Sequence, residues 1–357
     1  MGRGLLLTNS DIAELLAVES GSAKMPAAKA LRRASRRAFM WPEEVAELVN
    51  AARSLTELTA VGPYIERLIK HWLDKPPALP SRPEIRAQFL TYTEARAALA
   101  MNREWLKAIR GDLQMHTTWS DGEASILEMA EAAVARGYEY IAITDHTKGL
   151  KIAGGIDERQ LQQQAEEIAA VNQAVQDRGM TVLRSAELNL TTDGHGDMHS
   201  DALRKLDIVL GCFHSSLRTT KDQTERYLKG LRNPDVHILG HPRGRIYNFR
   251  LGLTADWQRV FDEAARLDKA VEIDGYPDRQ DLNLDLLEIA RRAGCRISLS
   301  TDSHGSAQLR FMEYSAAAAL KAGIRKDRIL NFMSREALLK WVAGLRDAIP
   351  SDDFLRA

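Results

Sequence analysis

Histidine and acidic side chains stand at the ends of short apolar runs from residue 111 onward. Five runs, DLQMH, YIAITDH, IVLGCFH, VHILGHP and ISLSTDSH, carry His116, His146, His214, His241 and His304 at or near their ends. A sixth run, TVLRSAELNL, carries Glu187 in its middle. Apolar runs that alternate with helical segments indicate parallel β-strands, whose carboxyl ends open onto one face of a β/α barrel. Residues that are distant in the sequence therefore converge on one site.

The convergent residues are of the kinds that bind transition metals. Neutral imidazole and carboxylate are ligands of Zn, Mn and Fe, so the pattern predicts a multinuclear metal site and hence an enzyme. A single histidine at a strand end is more often a structural residue, but five of them in register with Glu187, Asp121 and Asp302 favour a shared site. His237 falls inside an apolar run, and we expect it to be a packed core residue.

Composition limits the classes of protein to which the chain can belong. The 357 residues contain 49 Lys and Arg against 49 Asp and Glu, so no global basic field attracts nucleic acid. Cys212 and Cys295 stand in apolar runs, as buried thiols do in a reducing compartment. The sequence has neither an apolar stretch of membrane-spanning length nor the pattern of a secretory leader. We expect a cytoplasmic protein with no membrane partner.

A proline-rich segment divides the chain. Residues 75–83 (KPPALPSRP) contain four prolines, which excludes a helix interior or a central strand and indicates a stiff linker. Residues 1–74 have helical spacing only, and residues 84–109 are predicted to form one more helix. Beyond residue 111, alternating strands and helices predict seven β/α units up to about residue 322. We therefore divide the chain into residues 1–74, 75–110 and 111–346.

The motifs together resemble a known family. DLQMHTTWSDG, YIAITDH, the Glu187 strand, FHSS, ILGHPRGR, VEIDGYP and STDSHG occur in the order seen in PHP (polymerase and histidinol phosphatase) domains, especially that of bacterial X-family DNA polymerases. Segments such as AKALRRASRRA and SLTELTAVGPYIERLIKHWL resemble the small helix-hairpin-helix domain of the same polymerases, whose palm has no counterpart here. The resemblance implies an α/β fold, a distorted seven-stranded TIM-like barrel, with an all-α helix-hairpin-helix domain before it.

The resemblance also sorts the ligands into positions for two or three divalent ions, which we expect to be Zn, Mn or Fe. The first position comprises Gln114, His116, Glu187 and Asp302. The second comprises Glu187, His214 and His241, and the third comprises Asp121, His146 and His304. Glu187, His241 and Asp302 are assigned to catalysis. Gln114 departs from the family, which has a histidine there; because an amide oxygen is a weaker ligand than imidazole, we expect the first ion to bind less tightly.

Clustered divalent ions favour phosphoester hydrolysis. They lower the pKa of bound water, supply hydroxide as the nucleophile and neutralise charge on phosphorus. Arg243, Arg245 and, more weakly, Lys148 are candidates to bind the substrate phosphate, with surface salt bridges as the alternative. Asp145 is expected to orient His146 or a neighbour. His195 and His199 either line the mouth of the site or belong to a solvated loop.

A basic stripe in the N-terminal part favours an anionic partner over a solvated face. It consists of Lys29, Arg32, Arg33, Arg36 and Arg37, with no acidic residue among them. The segment SLTELTAVGPYIERL resembles a helix-hairpin-helix turn in which Ala60 replaces the first glycine and Gly62 is retained. Backbone amides in such a turn bind DNA phosphates, so contact would be to the DNA backbone with little sequence specificity.

These features predict a metal-dependent phosphoesterase acting on DNA, either a 3′-5′ exonuclease or an end-processing phosphatase of the kind used in DNA repair. The first alternative is a small-molecule phosphatase of the histidinol-phosphate type, which would not need the N-terminal helices and their basic stripe. The second is a non-catalytic DNA-binding scaffold, which only the departure at Gln114 favours.

Overall fold

The N-terminal part of the chain is helical. The computed structural model describes residues 7–348, and its helices before the linker are α1 (Asn9–Ser22), α2 (Ala27–Ala38), α3 (Val45–Asn50) and α4 (Pro63–Asp74). Thr8 begins α1 with a capping box, in which its hydroxyl accepts from Asp11 N and the Asp11 carboxylate accepts from Thr8 N. Ile12, Leu31 and Trp41 are buried between these helices and form their core.

The apolar runs beyond residue 110 form two parallel sheets. In spatial order, the first sheet contains β1 (Gly111–Asp112), β2 (Tyr140–Ile143) and β3 (Thr181–Arg184). The second contains β4 (Glu187–Asn189), β5 (Leu210–Cys212), β6 (Ile238–Leu239), β7 (Ala270–Asp274) and β8 (Arg296–Ser300). Sequence order equals spatial order in both sheets, as consecutive β/α units require.

The predicted α/β class with parallel strands is confirmed, but the predicted count of seven strands is not. Residues 7–348 contain eight strands, because the run that carries Glu187 is interrupted between β3 and β4. At the interruption Arg184 N donates to the Asp207 carboxylate (2.8 Å). Single parallel bridges join the two sheets: His146 pairs with Glu187, and Met115 pairs with Ser303.

Helices cover the sheets and close one end of them. The helices of this part are α7 (Ile126–Ala135), α8 (Glu158–Val175), α9 (Ser200–Leu203), α10 (Thr224–Arg232), α11 (Trp257–Arg266), α12 (Leu284–Ala293), α13 (Met312–Lys321) and α14 (Arg335–Ala348). Leu338 and Trp341 of α14 pack against Tyr140 and Ile238 near the amino ends of the strands. The carboxyl ends of the strands lie on the opposite side from α14. Within residues 7–348 no helix combines the length and apolar character needed to cross a bilayer.

The segment after the linker differs from its prediction. Instead of one helix over residues 84–109, the structure has a short 3₁₀ turn followed by α5 (Tyr92–Ala100) and α6 (Glu104–Ala108). The cause lies in residues 87–90, whose backbone is bound by side chains from the sheet region. Arg245 donates to the Gln88 carbonyl (2.8 Å), and Gln280 both donates to Leu90 O and accepts from Leu90 N. These backbone groups are therefore not available for helical hydrogen bonds.

The helical part and the sheet part share a contact centred on Tyr247. Its hydroxyl lies 3.1 Å from Ser35 Oγ of α2, and its ring makes edge contacts with Phe39 and Phe89 at centroid distances of 4.7 and 5.3 Å. The Arg245 guanidinium lies over the Phe89 ring, 3.8 Å from its centroid. Tyr247 thus belongs to the apolar core of the N-terminal helices.

Arg245→Met should destabilise the protein strongly, because the Arg245 side chain is buried and donates to the carbonyls of Ala87, Gln88, Arg279 and Gln280. Leaving buried acceptors without donors costs about 1–3 kcal/mol each, so we expect the free energy of unfolding in denaturant to fall by about 2–4 kcal/mol. Arg325→Met, which removes an exposed ion pair with Asp327, is the matched control and should cost about 0–1 kcal/mol. Equal losses in the two variants would contradict the anchoring role.

Candidate metal centre

The carboxylate of Glu187 lies at the centre of the side chains that follow the strands. It is fully buried at the start of β4. Its Oε1 lies 2.8 Å from both His214 Nε2 and His241 Nε2, which follow β5 and β6. Its Oε2 lies 2.8 Å from Gln114 Nε2 and 3.2 Å from His116 Nε2, which follow β1. One carboxylate at the start of β4 therefore joins the carboxyl ends of three other strands, β1, β5 and β6, and such a carboxylate can bridge two cations.

A second group of ligand atoms surrounds Asp121. Its Oδ1 lies 3.5 Å from His146 Nε2, 3.6 Å from His304 Nε2 and 3.9 Å from His116 Nδ1. The His116 ring lies between the other two imidazoles, with centroid distances of 4.4 Å to His146 and 4.5 Å to His304. The three residues assigned to the third metal position are thus together, with His116 beside them.

The loop that carries Asp121 is held by Asp145. The Asp145 carboxylate accepts from Thr117 N (2.8 Å), Thr117 Oγ1 (2.7 Å) and Ser120 Oγ (2.5 Å). It also accepts from Gln164 Nε2 (2.6 Å) of α8. Asp145 was expected to orient His146 or a neighbour, and in the structure it fixes the turn that leads to Asp121.

Asp302 stands in a strained turn directly after β8. Its φ is 49°, in the left-handed region that few non-glycine residues adopt, and such strain clusters at functional sites. Its Oδ1 lies 3.0 Å from His116 Nε2, and its Oδ2 accepts from the Arg279 guanidinium. Burial alone would raise the pKa of Asp302, but the charges of Arg279 and His116 outweigh it and hold that pKa below its usual range.

The donor set fits divalent cations. Four groups of side chains bring their ligand atoms within 4.8 Å of one another: His116, Asp121, His146 and His304; His146, Glu187 and His214; Glu187, Cys212 and His241; and His116, Glu187 and Asp302. The buried Nδ1 atoms of His116 and His146 have no hydrogen-bond partner within residues 7–348, as expected of nitrogens reserved for a metal. Burial raises the pKa of Glu187, but His146 and His241 outweigh it and keep that pKa well below its usual value.

Gln114, which the sequence assigns to the first metal position, turns its donor side toward Glu187. Its Nε2 donates to Glu187 Oε2, which leaves its Oε1 facing Ser300 Oγ at 3.5 Å. The amide oxygen, the only atom of this side chain that suits a hard cation, therefore points away from the bridging carboxylate. This orientation agrees with weak binding at the first position.

Arg279 lies beside Asp302 and was not among the residues predicted for the site. Its guanidinium pairs with Asp302 and lies 5.2 Å from the centre of the Tyr276 ring, which itself contacts His304 at 6.2 Å. The signal available in the sequence was a basic residue five positions after the apolar strand VEID. Its partner Asp302, in the turn after β8, could not be identified from that spacing.

The predicted phosphate-binding residues are placed differently from expectation. Arg245 faces away from the centre and binds the backbone of residues 87–88, and Arg243 pairs with Glu84 (3.0 Å). Both turn away because the chain after His241 folds onto Asp281, whose carboxylate accepts from Gly244 N. Lys148 pairs with Glu158 (2.6 Å) near the mouth.

The remaining histidines are not among these groups of ligands. His195 and His199 are exposed in the loop after β4, and His71 is exposed on α4. His237 lies in the core, where its Nδ1 accepts from Val209 N (3.0 Å), as its position inside an apolar run predicts.

Comparison with known proteins agrees with this arrangement. The model of the PHP domain matches residues 112–309, which is more than half of the sequence and spans every ligand named above. The chain belongs to the PHP domain family. The resemblance found in the sequence is confirmed, and with it the class of enzyme, a metal-dependent hydrolase of phosphoester bonds.

Individual relatives match different portions of the chain. DNA polymerase/3′-5′ exonuclease PolX of Bacillus subtilis is 36% identical over 265 residues, which cover 72% of this chain and 45% of that protein. This chain thus spans less than half the length of that relative. A probable phosphatase of Thermoanaerobacter is 30% identical over 236 residues, which cover 61% of this chain and 89% of that protein.

Among solved structures, histidinol phosphate phosphatase from Lactococcus lactis, crystallised with Zn, L-histidinol and phosphate, is 19% identical. It matches 60% of this chain and 94% of its own length with a TM-score of 0.44.

Gln114→His should strengthen metal binding at the first position. The imidazole replaces an amide whose oxygen faces Ser300, so we expect affinity there to rise about 10-fold or more. Calorimetric titration with Zn²⁺ and elemental analysis measure this, and Gln114→Asn, which keeps an amide, is the control. Unchanged affinity and stoichiometry in Gln114→His would require withdrawal of the first position.

Proposed function

We propose that this PHP enzyme hydrolyses phosphoester bonds of DNA, as a 3′-5′ exonuclease or an end-processing phosphatase in DNA repair. The observation that carries the proposal is the position of the basic stripe, defined as Lys29, Arg32, Arg33, Arg36 and Arg37 of α2. It lines a cleft together with Tyr276, whose ring contacts the candidate ligand His304, so one polyanionic strand could reach both the stripe and the centre.

The cleft between α2 and residues 276–278 has a volume of about 440 Å³. All five residues of the basic stripe line one side of it, and Tyr276, Pro277 and Asp278 line the other. Tyr276 also contacts His304, a ligand of the third position. None of the five cations forms an ion pair within residues 7–348, and they outnumber Asp278, the acidic residue of the cleft, so the cleft can attract phosphates.

A second cleft lies on the other side of the same helix. It measures about 510 Å³ and runs between Lys29 and Arg33 of α2 and the turn Ala60–Gly62 before α4. Ala60 adopts a φ of 68°, the left-handed conformation that glycine takes readily, and Gly62 caps α4. The turn before α4 and two cations of α2 therefore line one cleft, which supports the interpretation of this turn as a helix-hairpin-helix phosphate site.

Different residues would bind the cations and the substrate phosphate. Glu187, His241 and Asp302, with His116, His146, His214, His304 and Asp121, would hold the cations. When bound, such cations supply a water nucleophile near neutral pH and neutralise charge on the phosphate. Arg279 pairs with Asp302 on one side and faces the Tyr276 ring on the other. With a third of its side chain exposed, it is placed to bind a phosphate entering from the cleft.

A small-molecule phosphatase is the second candidate. The Thermoanaerobacter relative is called a probable phosphatase, and its match leaves more than a third of this chain unmatched. A panel of single-stranded DNA, 3′-phosphorylated DNA, nucleotides and histidinol phosphate, assayed with Mn²⁺ and Zn²⁺, separates the two. Faster turnover of histidinol phosphate than of every DNA substrate would reject the proposal.

Glu187→Gln and His241→Ala should each abolish hydrolysis of single-stranded DNA and leave its binding intact. Both changes remove ligands at the centre, whereas the basic stripe lies on α2. Steady-state rates and fluorescence anisotropy measure the two properties. Glu225→Gln, on an exposed ion pair, is the control and should behave as wild type. Wild-type rates in both ligand variants would exclude the assigned centre.

A triple variant in which Arg32, Arg33 and Arg36 are each changed to Gln should bind DNA more weakly, and its binding should depend less on salt. Each lost phosphate contact lowers the log–log slope by roughly one unit. Turnover of a small chromogenic phosphoester should stay the same, because the ligands are untouched. The matched control is the triple replacement of Arg291, Arg292 and Arg325, which line neither cleft. An unchanged slope in the stripe variant would reject DNA binding by α2.

A further inference from the structure

Cys212 lies among the ligands of the metal centre. It ends β5, two residues before His214, and it is a free and fully buried thiol. Its Sγ, an oxygen of Glu187 and a ring nitrogen of His241 lie within 4.8 Å of one another. His214, which the family resemblance groups with Glu187 and His241, forms its compact group with Glu187 and His146 instead.

We propose that Cys212 Sγ is a ligand of the metal ion bound by Glu187 and His241. A tetrahedral ion with bonds of about 2.0–2.3 Å spaces its ligand atoms roughly 3.3–3.8 Å apart. Three atoms already within 4.8 Å reach that spacing with small side-chain movements. The second metal position is then a mixed thiolate, imidazole and carboxylate site.

The backbone keeps the space between the sulfur and the imidazole clear. Gly240 precedes His241, and a Cβ at this glycine would overlap Cys212 Sγ. His241 N donates to the Glu272 carboxylate, which fixes the turn after β6. The thiol therefore lies beside the His241 side chain, with a ring nitrogen of His241 within 4.8 Å of the sulfur.

Cys295 provides the contrast within the same chain. It is also free and buried, but its Sγ donates to the Phe261 carbonyl (3.2 Å) in the outer core. It belongs to none of the four groups of ligand atoms. Cys295 is therefore a packing residue, and a serine there should not affect the metal centre.

Binding through Cys212 has a defined proton balance. The thiol loses its proton to the solvent as the metal–sulfur bond forms, because the thiolate is the ligand. A thiolate is a soft ligand that favours Zn over Mn, whereas imidazole and carboxylate alone discriminate less. The second position should consequently prefer Zn.

Cobalt substitution tests the proposal directly. Co²⁺ bound by a thiolate shows a sulfur-to-metal charge-transfer band in the near ultraviolet. We expect this band in the wild type and in Cys295→Ser, and its loss in Cys212→Ser. A wild type without the band, or a Cys212→Ser variant that retains it, would overturn the proposal. If Cys212→Ser does not fold, as judged by circular dichroism, Cys212→Ala is measured in its place, with the same criteria.

Calorimetry gives a second readout that a packing role would not change. In buffers of different ionisation enthalpy, wild type and Cys295→Ser should release one more proton on Zn²⁺ binding than the Cys212 variant. The ratio of Zn²⁺ to Mn²⁺ affinity should fall about 10-fold or more in that variant, since even residues that only orient ligands contribute this much. Equal proton release and an equal ratio in all three proteins would reject the proposal. Neither readout depends on DNA being the substrate.

Discussion

The burial of Glu187 is the constraint on which the centre depends. A carboxylate removed from water costs several kcal/mol unless opposite charges or donors surround it. Here His214, His241, His116 and Gln114 all lie within 3.2 Å of its two oxygens. These partners come from the ends of three strands, so the carboxylate can be satisfied only when β1, β5 and β6 are in register with β4. Fold and site are thus specified by the same contacts.

The position of the basic stripe depends on a different set of contacts. Tyr247 and Arg245 belong to the sheet region, yet they pack on Phe39, Phe89 and the backbone of residues 87–88. These contacts hold α2 beside Tyr276 and therefore beside the metal centre. Arg245, which resembles a phosphate ligand in the sequence, thus takes part in the contact between the helices and the sheet region. Its guanidinium is engaged by the backbone carbonyl of Gln88.

Much of the fold and the convergence of the candidate ligands could be predicted from the sequence, for a physical reason. Parallel strands direct their carboxyl ends to one side, so His116, His146, His214 and His304 converge wherever their strands lie in the order. Arg279 could not be predicted as a neighbour of the candidate ligands, since its relevance depends on a contact with Asp302 after another strand. Cys212 did leave a signal, because it stands two residues before His214 and residues at that spacing share one face of a strand. The helix predicted over residues 84–109 failed because side chains distant in sequence bind its backbone, a tertiary effect that local propensity does not contain.

The position of α14 has a consequence for how the chain acquires its structure. This helix packs against the amino ends of the strands, with Trp341 Nε1 donating to Asp268 O and Arg346 donating to Leu206 O. Apolar residues such as Tyr140 and Ile238 lie beneath it. During synthesis these residues leave the ribosome long before α14 does, and they have nothing to cover them until it arrives. The nascent sheet region therefore exposes apolar surface of the kind that chaperones bind. The N-terminal helices, by contrast, form most of their own core early.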